Sequence, residues 1–196
     1  MNVLTVALFT ASDANYASVL PLYLSTANTL LKPHNMVMEV FPTNPGDKNA
    51  PRTLPFTGAA YDGPGDPGTL RAMAHRAVPV GRGIPVIFCK RNDDDTTTDS
   101  GKEGGSTILP ENMETNNGIW WLPYILINTQ TKSLSGETLL HEMIHAAYGK
   151  IVRHDPSPKS VFYATGTTAA SGERTRALSA PYADVLRKAY FASFAP

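Results

Sequence analysis

The sequence predicts an α+β domain: a mixed twisted sheet of about four to five strands, a long N-terminal helix, a helix carrying the pattern HExxH, and a C-terminal helix. Three observations predict it. Short apolar, β-branched runs at residues 4–9, 36–41, 84–89 and 121–128 have the length and make-up of buried strands. Apolar residues fall at helical spacing between the first two runs and again from residue 138. Stretches rich in Pro, Gly and Asp separate these segments.

The first run, Val3-Leu4-Thr5-Val6-Ala7-Leu8-Phe9, has the apolarity of a signal-peptide core but no basic segment before it. It therefore reads as a strand, with secreted and cytoplasmic addresses both open. Tyr16, Val19, Leu20, Tyr23, Leu24, Ala27, Leu30 and Leu31 then predict a helix over about 14–31. Pro21 argues against that start, because proline removes a helix donor unless it lies in the first turn. After the strand at 36–41, residues 42–68 are rich in Pro and Gly, with 62–68 reading as successive turns and 69–77 as a short helix. The strand at 84–89 ends in Cys89, the single cysteine of the chain. It has no internal disulfide partner and is expected to pack as a small hydrophobe.

Residues 90–105 form a polar loop containing Asp93, Asp94, Asp95 and Asp99. They lack the alternating ligands and central glycine of a calcium loop, so a solvated loop is expected. Residues 106–109 are a candidate edge strand. Asn116-Asn117-Gly118 turns the chain towards Trp120 and Trp121, which are expected to face opposite sides. The strand at 121–128 leads through a turn at 129–133 to Ser135-Gly136-Glu137, an N-cap candidate with an acidic first turn. In the helix that follows, Leu140, Ile144 and Ala147 form an apolar stripe, widened by Leu139, Met143 and Ala146. Gly149 is placed to stop it.

That helix carries His141-Glu142-Met143-Ile144-His145. Residues four apart share one helical face, with Cβ atoms about 5–6 Å apart. Two neutral imidazoles so placed converge on one cation, and Glu142 lies beside them to take a proton from water. The arrangement is that of a zinc hydrolase, with Zn2+ as expected cofactor. Two buried core histidines beside an incidental carboxylate would be costly to desolvate. Catalytic zinc takes three protein ligands, so a third is sought downstream among His154, Asp155, Glu173 and Asp184. His154 is chemically the best, because Gly149 lets the chain turn back. Asp155 is alternatively an acceptor for a ligand imidazole, and Glu173 would complete a His-His-Glu set.

The order of elements, with HEMIHAAYGKIVRHD at its centre, resembles that of the metzincin zinc peptidases, whose extended motif is HExxHxxGxxH, often followed by Asp. Gly149, His154 and Asp155 stand in the same order. Here one more residue precedes the glycine and two more separate it from the last histidine. Metzincins also carry a Met-containing turn beneath the metal and a C-terminal helix. Residues 160–165 resemble that turn, with Phe162 or Val161 where methionine would stand. A helix over about 182–191 follows, with Ser179 as candidate N-cap and Pro181 in its first turn. The resemblance implies one metallopeptidase-like domain over 1–196 with His141, His145 and His154 as zinc ligands and Glu142 as general base. It makes Tyr163 a candidate hydroxyl near the scissile carbonyl, and implies a peptide or protein substrate lying extended along the edge strand.

Composition narrows the partners. Seventeen Lys+Arg balance seventeen Asp+Glu, so no electrostatic footprint for nucleic acid is present. No apolar run approaches the ~20 residues of a membrane span, and a monomer is expected. The rival expectations are an effector- or toxin-type zinc protease using Glu173, a non-catalytic zinc-binding module, and an amidase acting on another substrate.

Overall fold

The computed structural model describes residues 1–56, 83–90, 105–109, 122–129, 136–163 and 176–194. These form an α+β structure with a mixed sheet and three helices. The strands are β1 (Asn2–Ala11), β2 (Met36–Phe41), β3 (Arg52–Leu54), β4 (Ile84–Cys89), β5 (Gly105–Ile108), β6 (Tyr124–Asn128) and β7 (Ala192–Phe194). The helices are α1 (Leu20–Leu31), α2 (Thr138–Tyr148) and α3 (Ala180–Arg187).

The sheet runs β2-β1-β4-β6-β5. The pairs β1–β2, β1–β4 and β4–β6 are parallel, and β5 returns antiparallel to β6 with Ser106 opposite Leu126 and Thr107 opposite Ile125. The strand at the centre is covered on both edges along its length: β3 extends the β2 side at Phe9–Ala11, and β7 fills the β4 side at Asn2–Leu4. The strand is also packed on both faces, Leu4, Val6 and Leu8 on one and Ala7, Phe9 and Ala11 on the other, which explains its largely apolar run. β4 and β6 are buried at every position for the same reason.

Alternation along the strands divides the core in two. Leu4, Val6, Leu8, Val86, Phe88, Ile125 and Ile127 face α1, α2 and α3. On the other face Ala7, Phe9, Ile87, Cys89, Tyr124 and Leu126 pack with Leu54, Phe41, Phe56 and Ile108. Among the described residues the helices gather on one face of the mixed sheet, the α+β arrangement. Cys89 is buried as expected, its thiol donating to the Ile127 carbonyl at 3.7 Å.

Several boundaries differ from the sequence expectation. The first helix begins at Leu20 with Pro21 in its first turn, and Tyr16–Ser18 is a separate 3-10 turn. Pro21 thus sets the start, because there its missing donor costs nothing. Among the described residues the sheet has seven strands. β3 and β7, three residues each, are too short to show a period. The C-terminal helix stops at Arg187, and Ala192–Phe194 leaves it as β7. Ser179 is its N-cap residue but makes no side-chain capping bond. β6 begins at Tyr124 and β5 spans Gly105–Ile108, within three residues of the expected positions. The expected helix at 69–77, the aspartates at 93–95 and 99, Trp120, Trp121, Ser135 and Glu173 lie outside the described residues. Among the described residues no helix is long and apolar enough to cross a membrane.

Candidate metal centre

Helix α2 buries Leu139, Leu140, Met143, Ile144 and Ala146, and this registers His141 and His145 on one side, each half-buried. The helix ends at Gly149, whose φ of 65° is left-handed and whose N–H bonds the carbonyls of His145 and Ala146, each at 3.2 Å. A left-handed residue reverses the chain directly after the second histidine. Residues 150–153 then carry the surplus length, and His154 returns to the pair.

The result is a three-imidazole cluster. His154 Nε2 lies 3.2 Å from His141 Nε2 and 3.0 Å from His145 Nε2. One ligand atom from each of the three residues falls within 4.8 Å of the others, a group that could hold a metal ion. The donor chemistry fits a cation. His141 Nδ1 lies 2.9 Å from the Val161 carbonyl, which only an N–H can satisfy, so its Nε2 presents a bare lone pair. His154 Nε2 faces this nitrogen and His145 Nε2 with at most one proton of its own. Ring nitrogens so converged repel unless a proton or a cation sits between them. A tetrahedron with bonds of about 2.0–2.1 Å has edges of about 3.3 Å, close to the spacing seen.

Burial favours the neutral, ligating form. Desolvation, with Val161 opposing and His154 and Arg176 adding repulsion, lowers His141 to about 4. Desolvation and the two neighbouring imidazoles lower His145 to about 3, and burial also lowers His154.

Beneath the cluster lies a tight turn. Tyr163 N–H bonds the Ser160 carbonyl at 3.2 Å and Phe162 N–H bonds Ser160 Oγ at 3.1 Å. The turn offers the Val161 carbonyl to His141 and the Phe162 carbonyl to Asp155 N–H at 2.9 Å. Its buried Phe162 ring lies 5.2, 4.7 and 5.3 Å from the rings of His141, His145 and His154.

Glu142 is 7% exposed and faces β5, where Thr107 Oγ1 lies 2.7 Å from both its Oε2 and its backbone carbonyl. Gly105, two residues earlier on the same strand face, permits this approach. A Cβ there would come within 2.9 Å of Thr138 Cγ2 and 3.0 Å of Glu142 Cγ. At the other end of the site, buried Arg176 pairs through Nε with Glu137 Oε2 at 3.2 Å, tying the segment after the turn to the start of α2.

Of the residues singled out in the sequence, His141, His145 and His154 are brought together, with Glu142 beside the first. Asp155 is outside the cluster: Oδ1 accepts Ser157 N–H at 2.8 Å and Oδ2 accepts the Tyr182 hydroxyl at 3.1 Å. These bonds, Ser157 first, hold its carboxyl below the usual range. Asp184 pairs with Arg187 on α3. Tyr163 closes the turn and its backbone bridges to Asp155. Sequence reasoning missed Thr107, Gly105 and Arg176, which become neighbours of α2 only through tertiary packing. A glycine two residues before a threonine in an edge strand was the sole available signal, and it is weak.

No protein-family model matches the chain, and no curated protein matches it.

Proposed function

We propose that the chain is a zinc-dependent metallopeptidase of the metzincin-like kind. The observation that carries this reading is the convergence of the three Nε2 atoms with a buried carboxylate on the residue after the first ligand. His141, His145 and His154 would hold the zinc. When bound there, zinc supplies a Lewis acid that polarises the scissile carbonyl and lowers the pKa of water towards ~7.

The remaining work belongs to the protein. Glu142 accepts the proton of the attacking water and delivers it to the leaving amine. Val161 holds His141 in the tautomer with Nε2 unprotonated. Tyr163 is the candidate hydroxyl to assist at the carbonyl oxygen. The peptide lies along β5, which pairs with β6 on one edge and, among the described residues, with no strand on the other. Supporting the metzincin-like reading are the antiparallel edge strand beside the motif helix and the turn that sets Phe162 under the three imidazoles.

Metal analysis with two substitutions tests the proposal. Glu142→Ala should retain zinc while hydrolysis of peptides falls about 10²–10⁴-fold, the usual contribution of a general base. His154→Ala should bind zinc substoichiometrically. Full activity in the first variant, or full occupancy with unchanged activity in the second, would refute the assignment.

A further inference from the structure

We infer that Thr107 is a positioning residue for Glu142, fixing the carboxylate that acts as general base; this rests on the peptidase reading above. The hydroxyl lies 2.7 Å from Glu142 Oε2 and 2.7 Å from the Glu142 backbone carbonyl. A threonine hydroxyl has one proton and two lone pairs. It donates to Oε2 of the ionised carboxylate and leaves the other oxygen to take the proton from water.

Holding Oε2 also restricts rotation about the last torsion of Glu142, which is otherwise broad and roughly two-fold. The position of the second carboxylate oxygen is thereby set. The grip is built into the backbone. Gly105 brings β5 against α2, where a Cβ would press on Thr138, Glu142 and Ile127. Thr107, on the same face of the strand, then reaches across. Since β5 is also the edge proposed to receive the peptide, one strand aligns substrate and base together.

The test compares wild type, Thr107→Val, Thr107→Ala and Thr107→Ser, each zinc-loaded, on a quenched-fluorescent peptide mixture of randomised sequence. Zinc content and thermal midpoint are recorded for each. Thr107→Val and Thr107→Ala should lower kcat about 10–100-fold, the usual effect of removing a group that orients a site residue. KM should stay within about twofold and zinc content unchanged, and Thr107→Ser should recover most of kcat. Alanine adds no bulk, so it gives the same reading if valine disturbs folding. Unchanged kcat in both variants would overturn the inference. So would a raised KM at constant kcat, or loss of zinc or of folding in both, since these mark a residue that merely docks the strand. A serine variant as slow as alanine would overturn it too. An inert wild type would refute the peptidase reading itself, and this inference with it.

Discussion

Phe162 makes ring contact with His141, His145 and His154 and also with Tyr182, 5.0 Å away. It is 1% exposed, so it acts as a solid floor under imidazoles that no backbone bond alone would hold in register. Phe162→Ala should cost about 3–5 kcal/mol through lost transfer energy and the cavity left behind. Chemical denaturation measures that loss, and a zinc titration should show weaker binding as the rings gain freedom. Phe162→Met, which keeps most of the volume on an unbranched chain, should retain most of both. Equal loss in the two variants would show that the aromatic ring itself, and not filled space, sets the histidines.

Helix α2 connects His141 and His145 to His154 only because it ends where it does. The left-handed Gly149 closes the last turn onto His145 and reverses the chain five residues before the third imidazole. Nothing lies within 4 Å of a Cβ built there, so alanine would meet no clash and only the backbone conformation would resist it. Gly149→Ala should therefore destabilise by about 1–2 kcal/mol. Thermal denaturation reads this directly. Zinc affinity should fall as well, since the cost is relieved by unwinding the turn that carries His145. Wild-type affinity in a destabilised Gly149→Ala would separate the cap from the site.

Across the whole molecule, three imidazoles with lowered pKa values couple folding to pH. In the unfolded chain each takes up its proton near the ordinary value of about 6.5. In the folded, metal-free chain burial delays this to about 4 for His141 and about 3 for His145. Between those limits the unfolded state binds more protons, so stability rises with pH. The metal-free protein should thus hold its stability above pH ~6.5 and lose it steadily down to pH ~3, read as a falling urea midpoint. If zinc is held by the neutral imidazoles, as proposed, it should raise the midpoint at pH 7.5 by mass action. That gain should shrink over the same acidic window. A midpoint independent of pH from 7.5 to 4.5 would contradict the burial of these groups.

Much of this was written along the chain. Strand runs, the amphipathic face of α2, Gly149 as its stop and the His141–His145 pair are local patterns, because periodicity and capping depend on neighbours within one turn. The burial of Cys89 and the position of Pro21 in the first turn of α1 follow from the same local rules. β3 and β7 were illegible, since three residues carry no period and their pairing partner is more than 40 residues away. His154 could be nominated by its chemistry, yet its convergence with the pair depends on how residues 150–153 fold back. Thr107 against Glu142, Gly105 against Thr138, and Arg176 against Glu137 are contacts between segments that share no sequence pattern. The sequence by itself determined which helix bears the two histidines and the carboxylate, through helical periodicity. Only the tertiary structure decided what closes around them, because those partners are chosen by packing across the sheet and not by spacing along the chain.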